Sequence, residues 1–231
     1  MLLKKKGVWL ASVLVLNSWV GGALAAEQDS ATLTVRAKII PGACKIELFG
    51  VENGNILDFQ GIKSSELIRG DKVLPAKNIS VSIKCDADTK ISLSTTDDKK
   101  GEAEAQNDRF YLRNTLGDTI LGFYKIKIKN DSVIVESSYH NGKMPIFYST
   151  ERAADNIWHE ATSSLFFSPQ GSVMFNEISI AKKNDSINVP VALKTLMIGL
   201  EVEPTLNKIT GSAIAQNIEV EGKNTFTIKY L

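Results

Sequence analysis

Few side chains in this sequence combine into a pattern that could carry out catalysis. The chain has 231 residues and only two histidines, His140 in Tyr-His-Asn-Gly and His159 between a tryptophan and a glutamate. A histidine base needs a nucleophile and an orienting group, and the sequence lacks a G-x-S-x-G, an H-E-x-x-H, a cysteine-nucleophile motif and a Gly-rich phosphate loop. We therefore expect both histidines to lie at the surface, no enzymatic activity and no cofactor.

Paired carboxylates offer a second possible chemistry. Asp86-Ala-Asp88 and Asp97-Asp98 could contact Ca²⁺, but the ligand spacing of a calcium-binding loop is absent. Solvated turns are the better interpretation of both pairs. We predict no metal site.

The two cysteines, Cys44 and Cys85, are the residues with the clearest chemistry. In an exported chain such a pair most simply forms one disulfide, which would stabilise the fold by about 4 kcal/mol on the chain-entropy model. Two free thiols are disfavoured in an oxidising compartment. A metal site is disfavoured because no histidine lies near either cysteine in the sequence.

The first segment indicates export. Three lysines, Lys4 to Lys6, precede an apolar stretch from Val8 to Val20, and Ala23-Leu24-Ala25 has the small–large–small pattern of a signal-peptidase site. The apolar stretch is interrupted and shorter than the roughly 20 residues that a membrane span needs. We predict that residues 1–25 are a cleaved signal peptide.

The net charge gives no reason to expect a nucleic-acid partner. The chain has 27 basic and 26 acidic side chains, and the signal peptide contains three of the lysines and no acid, so the mature chain has a net charge of −2. A near-neutral chain without long charge runs lacks the electrostatic footprint of a protein that binds nucleic acid or an anionic membrane.

The dominant period of the sequence is two residues. Alternating apolar and polar positions predict half-buried antiparallel strands. The apolar positions of these runs are Leu33, Val35, Ala37, Ile39; Ile79, Val81, Ile83, Cys85; Gly122, Tyr124, Ile126, Ile128; Ile187, Val189, Val191, Leu193; Ile198, Leu200, Val202; and Phe226, Ile228, Tyr230.

Turn-forming residues such as Pro41-Gly42 and Asn141-Gly142 separate the runs, and many short strands at this spacing predict an all-β sandwich. Thr150 to Thr162 is the one stretch that could hold a short helix. The polar stretches Gly61 to Val73 and Asp97 to Asn107 are expected to be loops.

The two ends of the chain resemble subunits of chaperone–usher fimbriae. The run from Leu33 to Ile40, followed by Pro41-Gly-Ala-Cys44, looks like the start of a pilin, and Asp58 to Ile62 resembles the short motif that follows in pilins. Ile79 to Cys85 resembles the strand with the second pilin cysteine. Ile187 to Leu193 and Phe226 to Leu231 are similar to the last two pilin strands. The resemblance extends to the uncharacterised enterobacterial fimbrial-like proteins, and it is poor between Asp86 and Ala181.

The sequence departs from the pilin pattern at one glycine. Pilins usually have a glycine about fourteen residues from the C-terminus, where this chain has Ile218, and the nearest glycine is Gly222. This difference affects the expected register of the last strands.

The resemblance implies an immunoglobulin-like antiparallel β-sandwich that lacks its final strand. Residues 1–25 would be the signal peptide, residues 26–40 an N-terminal donor strand and residues 41–231 the pilin-like domain. Leu33, Val35, Ala37 and Ile39 would be donated to a neighbouring subunit by strand addition. Phe226, Ile228, Tyr230 and Leu231 would form the edge that accepts a strand and that the chaperone reads.

The implied partners are a periplasmic chaperone, an outer-membrane usher and neighbouring fimbrial subunits, with the protein carried through the periplasm to the cell surface. The implied function is a structural fimbrial subunit that contributes to cell adhesion.

Three alternatives stay open. The first is a complete sandwich, in which the first strand pairs within its own domain. It stays open because an alternating pattern indicates that one face is buried but not which chain buries it. A tip adhesin would bind a host glycan or receptor through aromatic rings, for which the candidates are Phe123, Tyr124, Tyr139, Phe147, Tyr148, Trp158, Phe166 and Phe167. The third alternative is an unrelated periplasmic protein.

Overall fold

The computed structural model describes residues 36, 43–52, 54–99, 108–117, 119–149, 157–162, 165–169, 177–182, 188–210 and 217–231. The chain divides into two compact units, Met1–Ile39 and Ile40–Leu231, and the description below concerns the second unit. The predicted signal peptide lies outside the described residues.

The described residues are almost entirely β-structure. In chain order the elements are β1 (Cys44–Phe49), α1 (Ser64–Leu67), β2 (Lys72–Val73), β3 (Lys77–Thr89), β4 (Ile91–Asp97), β5 (Phe110–Asn114), β6 (Ile120–Ile128), a 3₁₀ turn (Asn130–Ser132), β7 (Ile134–Glu136), β8 (Asn141–Lys143), β9 (Ile146–Ser149), β10 (His159–Glu160), β11 (Leu165–Phe166), β12 (Glu177–Lys182), β13 (Val189–Pro190), β14 (Leu193–Leu206), β15 (Val220–Glu221) and β16 (Asn224–Tyr230).

These strands form two antiparallel sheets. The larger sheet has the order β1-β3-β14-β6-β5-β15, with β2 and β7 paired to β14, β8 paired to β7 and β11 paired to β6. The smaller sheet has the order β10-β9-β12-β4-β16, with β13 paired to β12. The chain passes from the larger sheet to the smaller one at Lys90, between β3 and β4. The predicted all-β antiparallel sandwich is confirmed.

The main core lies between the two sheets and is built from the alternating positions that the sequence indicates. Val81 and Ile83 of β3, Ile128 of β6 and Leu200 of β14 have no exposed side-chain surface, and Leu93 of β4 faces them from the smaller sheet. Because each strand alternates, the polar side chains between these residues lie on the outer face. The predicted strands at Ile79 to Cys85, Gly122 to Ile128 and Phe226 to Tyr230 are confirmed.

Two local predictions were wrong within the described residues, and a third was confirmed only in part. Gly61 to Val73 is not only loop, because it contains α1, whose Leu67 is buried with Leu74, Leu206 and Ile209 in a small second core. A four-residue helix with one buried side chain leaves no periodic signal in the sequence.

The predicted helix at Thr150 to Thr162 is also absent from residues 157–162, where the backbone forms β10 and pairs with β9. Trp158 is buried against Phe147 and Ala181, whereas its neighbours Ile157 and His159 are exposed. Exposed, buried and exposed residues in succession follow a period of two. Packing of the tryptophan therefore determines the extended conformation of this segment. Residues 150–156 lie outside the described residues.

The third difference concerns Ile187 to Leu193. The strand there is short: β13 covers Val189–Pro190, the Val191 amide donates to Ile180 C=O at 2.9 Å, and Val189 is 44% exposed. Pro190 has no amide hydrogen for a ladder bond, which limits the strand. Leu193 instead begins the long strand β14, and Ile187 lies outside the described residues.

No helix in the described part of the chain has the length and apolar character needed to cross a lipid bilayer.

The contact between β6 and β14 leaves no room for a side chain at Gly122. A Cβ atom built on Gly122 would lie 2.2 Å from the backbone carbonyl oxygen of Thr205. Because the obstacle is backbone in the central sheet, Gly122→Ala should lower the free energy of unfolding by about 3 kcal/mol. Urea denaturation followed by circular dichroism measures this value.

Gly70→Ala is the matched control, because nothing lies within 4 Å of its Cβ position. We expect it to change the unfolding free energy by less than about 0.5 kcal/mol. Equal stabilities of the two variants would contradict the packing seen at Gly122.

Candidate binding groove

Two strands form outer edges that face each other across the opening between the sheets. β1 is the last strand of the larger sheet and pairs with β3, and β16 is the last strand of the smaller sheet and pairs with β4. Within the described ranges no strand pairs with the other side of either one. Each strand therefore presents one row of backbone donors and acceptors that lacks a strand partner.

The register of β1 decides which of its backbone groups face the open side. Ala43 C=O accepts a 3.0 Å hydrogen bond from the Asp86 amide, so residues 43, 45, 47 and 49 direct their backbone groups toward β3. Cys44 is opposite Cys85 with a Cα–Cα distance of 4.0 Å, the close spacing of a non-hydrogen-bonded pair. The backbone groups of Ile46 and Leu48 consequently point away from β3, to the side where no described strand pairs.

The backbone groups of β16 alternate in the same way between its partner strand and the opposite side. Asp98 N donates to Lys223 C=O at 2.9 Å, and Leu231 N donates to Lys90 C=O at 3.1 Å. The odd-numbered residues from 223 to 231 therefore bond β4, and the even-numbered residues face the free edge. The half-buried side chains of Phe226 and Ile228 belong to this even set, so the same residues offer backbone groups to the edge and apolar side chains to the core.

The two edge strands run in opposite directions, and the end of β16 contacts the start of β1 at Cys44. The backbone amide of Cys44, at the start of β1, donates a 3.0 Å hydrogen bond to the hydroxyl of Tyr230, at the end of β16. Phe49 and Asn224 consequently lie toward the other end of the opening. This contact joins the two edges at one end and leaves them apart along the rest.

An apolar groove lies between the two edges. It has a volume of about 1440 Å³ and takes its walls from residues 46–49 of β1, residues 224–226 of β16 and the connecting segments 54–64 and 217–223. Its floor is part of the sandwich core. The floor residues include Ile79, Ile126, Val202, Leu74, Leu206 and Ile209.

This groove is larger and more open than a typical small-molecule pocket. Pockets for drug-sized ligands have volumes of about 300–1,000 Å³, whereas this groove is bordered by two strands that lack a described strand partner on the groove side. An extended peptide with alternating apolar side chains would satisfy both the edges and the floor.

The end of the groove that lies away from the disulfide is polar. The hydroxyl of Tyr124 donates to Asn224 Oδ1 at 3.2 Å, and Asn224 Nδ2 donates to Thr95 Oγ1 at 3.1 Å. Burial raises the pKa of Tyr124 well above its usual range, with the charges of Asp97 and Asp98 acting in the same direction. Tyr124 is therefore protonated at neutral pH and holds Asn224 in place at the start of β16.

A buried carboxylate ties the two sheets together beneath this end. Asp97 of β4 accepts hydrogen bonds from the amides of Tyr111 in β5, at 2.8 Å, and Lys99, at 2.9 Å. Burial raises the pKa of the Asp97 carboxyl above its usual range, and the neighbouring Asp98 charge raises it further. The two amide donors and Arg113 oppose that increase without cancelling it.

Gly222 allows β16 to approach this end closely. A Cβ atom there would lie 2.5 Å from the Tyr124 ring and 2.8 Å from the Leu112 side chain. Gly222 lies between β15 and β16, four residues after Ile218, the position at which the pilin pattern predicts a glycine.

The residues predicted for function fall into three groups. The disulfide between Cys44 and Cys85 is confirmed. The predicted donor residues Leu33, Val35, Ala37 and Ile39 lie outside the described residues. The terminal residues lie on the free edge strand, with Phe226 and Ile228 half-buried and Tyr230 and Leu231 each 45% exposed, and their role in accepting a strand stays a prediction.

The two histidines lie at the surface, apart from each other. His140 is exposed in the β7–β8 turn, and the exposed ring of His159 lies beside Tyr148 with centroids 5.5 Å apart. Among the described residues no three His, Cys, Asp or Glu side chains are close enough to hold a metal ion.

The candidate sugar-binding rings belong mostly to the core. Tyr124, Phe147, Trp158 and Phe167 are buried, while Phe123, Tyr148 and Phe166 are half-buried. Tyr139 alone of the eight is exposed, at 93%. The rings thus do not form a common exposed face, and glycan binding stays a prediction.

Several groove residues were missed in the sequence. Residues 54–64 and 217–223 form much of the wall, yet they have no strand period and only scattered apolar side chains. Their turn residues indicate a loop and not what the loop covers, and the pilin-like motif from Asp58 to Ile62 gave no indication of a groove wall.

The described residues thus define an antiparallel β-sandwich with one disulfide and an open groove between two free strand edges. A protein family described as "Protein of unknown function (DUF1120)" matches residues 33–142, slightly less than half of the chain. The chain is also similar to Protein GltF of Escherichia coli (strain K12), with 23% identity over 261 positions that span the whole of both proteins. Neither description states a partner or a reaction.

The raised pKa of Asp97 predicts a specific dependence of stability on pH. A carboxyl group whose pKa is higher in the folded state stabilises the fold fully below its unfolded pKa, and this contribution is lost as the pH rises through the folded pKa. The stability of the wild type relative to Asp97→Asn should therefore decrease between about pH 3 and pH 7. Thermal unfolding of both proteins across this range provides the measurement.

Asp88 supplies a control of opposite sign. Its carboxylate accepts a 2.9 Å hydrogen bond from the Ser138 amide, and hydrogen bonds from Ser138 lower its pKa. Stability relative to Asp88→Asn should therefore increase over the same pH range. The same slope for both variants would contradict the assigned environments.

Proposed function

We propose that this protein is a structural subunit of a chaperone–usher fimbria, assembled by addition of a strand from one subunit to the next and contributing to cell adhesion. The observation that carries this proposal is the apolar groove between two oppositely directed edge strands, each of which pairs on one side only with a described strand. The position of the groove supports the resemblance to pilins, since β16 is the strand that resembles the terminal pilin strand and β1 begins at Cys44, where the pilin-like start ends.

The physical basis is that the groove leaves two kinds of group unsatisfied. The edge residues Ile46, Leu48, Phe226 and Ile228 direct backbone groups toward the opening, and their apolar side chains are only partly buried. An exposed edge of this kind is a site of uncontrolled association. One added strand would pair with both edges and cover the floor at the same time.

The chain carries a segment of suitable chemistry. Residues 31–40 alternate between apolar and polar side chains, with Leu33, Val35, Ala37 and Ile39 on one face. Burial of the three larger side chains would contribute roughly 5 to 9 kcal/mol before ordering costs, at about 1.5–3 kcal/mol each. The small Ala37 would let the added backbone approach the floor closely.

The proposal assigns a second task to β16. Before assembly a periplasmic chaperone would cover the same edge, pairing with the backbone groups of Phe226, Ile228 and Tyr230. The usher would then replace the chaperone with the next subunit's leading segment. Asp97 and the Tyr124–Asn224 hydrogen bond would hold the starting end of β16 ready for either partner.

Co-expression with a cognate periplasmic chaperone tests the proposal directly. We expect a one-to-one periplasmic complex of the mature chain, and polymers once the usher is added. Ala37→Trp should keep the complex with the chaperone but reduce polymers by at least about tenfold, because a large side chain would hold the donated backbone away from the floor. Gel filtration and a polymer ladder on unheated gels measure both species.

Arg36→Trp is the matched control, because it places the same side chain on the polar face of the same segment. We expect it to polymerise at near wild-type levels. A stable monomer without chaperone, whose residues 32–40 are protected within its own sheet, would instead identify a complete sandwich and contradict the proposal.

A further inference from the structure

The turn between β7 and β8 displays a large aromatic side chain on a well-ordered backbone. Tyr139, at the tip of the turn, is 93% exposed. The Ser137 hydroxyl accepts hydrogen bonds from the amides of Tyr139, at 3.2 Å, and His140, at 3.0 Å. The Ser137 amide donates to His140 C=O at 2.8 Å. Hydrogen bonds within the turn therefore fix its shape without help from the Tyr139 ring.

The larger sheet holds this turn in place. Asp88, near the end of β3, accepts a 2.9 Å hydrogen bond from the Ser138 amide, and the Ser138 hydroxyl bonds to the same carboxylate. The stem of the hairpin is fixed as well, because β7 pairs with β14 from Ile134 to Glu136. A tyrosine on a rigid support offers a partner a large contact area at a low cost in conformational entropy. The exposed ring therefore suits a contact with another molecule.

The turn lies at the same end of the sandwich as the start of β1. Glu136, Thr195 and Lys84 form one row across β7, β14 and β3, and the row continues to Lys45 of β1. Because neighbouring strands are antiparallel, the chain after β7 and the chain before β1 both lie beyond this row. We call this end of the sandwich the disulfide end, since Cys44 precedes Lys45 there.

Two exposed aliphatic side chains lie at the opposite end, where β1 and β14 end. Ile56, in the short hairpin after β1, is 57% exposed and lines the groove. Leu116, in the turn between β5 and β6, is 90% exposed. The adjoining Thr115 amide donates to the C=O of Glu219, a residue of the groove wall, at 3.0 Å. We call Ile56 and Leu116 the distal rim of the groove.

Strand addition would bring these two ends of the sandwich together. Only residues 41–43 separate the predicted donor strand, residues 26–40, from β1, and three extended residues span at most about 11 Å. The disulfide end of one subunit would thus lie against the copy that receives its strand. A polymer that grows without limit needs contacts between unlike ends, because a contact between like ends closes as a pair. The Tyr139 turn of one copy would therefore meet the distal rim of the next.

We infer that Tyr139 is an interface residue that packs against the distal rim of the adjoining copy, at Ile56 and Leu116, and so fixes the angle between successive subunits. This inference rests on the proposed function and adds to it a second contact that is separate from the added strand. The chemistry of the two surfaces agrees, since one aromatic ring and two aliphatic side chains would leave water together.

Site-specific photo-cross-linking tests this contact in the full chain. Tyr139→p-benzoylphenylalanine is expressed with the chaperone and the usher, and the polymers are irradiated, dissociated by heating in detergent and mapped by peptide mass spectrometry. We expect a dimer in which position 139 is joined to residues 54–56 or 115–117. Leu116→p-benzoylphenylalanine should cross-link reciprocally to residues 137–140. The subunit–chaperone complex, irradiated without the usher, should give no subunit dimer.

A matched control and a second readout separate a specific contact from chance encounters. Ile134→p-benzoylphenylalanine places the same group on the stem of the same hairpin, where Ile134 is 48% exposed, and should not cross-link to either loop. Tyr139→Ala should form the chaperone complex in wild-type yield, because the ring lies outside the core. Its polymers should release subunits in denaturant about tenfold faster than wild-type polymers, the effect of losing one interface anchor.

Polymers that form normally but give no cross-link from position 139 to these loops would overturn the inference and leave the proposed function standing. The same holds if Tyr139→Ala polymers keep their stability but lose binding on a glycan array, a result that would assign the ring to an external ligand. Absence of polymers from the wild-type chain would contradict the proposed function itself, and the inference falls with it.

Discussion

The Cys44–Cys85 disulfide lies at the point on which the geometry of the groove depends. It joins β1 to β3 at a non-hydrogen-bonded pair and so agrees with a register in which Ile46 and Leu48 direct their backbone groups outward. A shift by one residue would exchange the inward and outward side chains and place Lys45 and Glu47 over the core. The covalent bond therefore stabilises both the fold and the chemical character of one groove wall.

The two ends of the groove are built differently, and both bring β16 close to the larger sheet. At one end a single hydrogen bond joins Tyr230 to Cys44. At the other, Tyr124 and Thr95 hold Asn224, while the buried Asp97 connects β4 to β5. Because β16 pairs with only one strand in the described part of the chain, these side-chain contacts supply positioning that a second neighbouring strand would otherwise provide.

An open groove of this kind is costly in an isolated molecule. Floor residues such as Ile126 and Val202 belong to the main core, and only half-buried side chains from the two edges cover them from the open side. A fold of this kind gains stability from a partner strand. This requirement links stability to assembly in the proposed fimbrial subunit, and it explains why a chaperone would have to act before polymerisation.

The sequence by itself determined the strand content, the faces of β3, β6 and β16 that point inward, and, through its two cysteines and a predicted export signal, the disulfide. These follow from local period and residue chemistry, which need no knowledge of neighbours. It did not predict α1 or β10, where one buried leucine and one packed tryptophan outweigh the local pattern. Only the tertiary structure decided that β1 and β16 become opposite walls of one groove joined at Tyr230, because alternation reports that a face is buried but not which distant strand, or which copy of the chain, covers it.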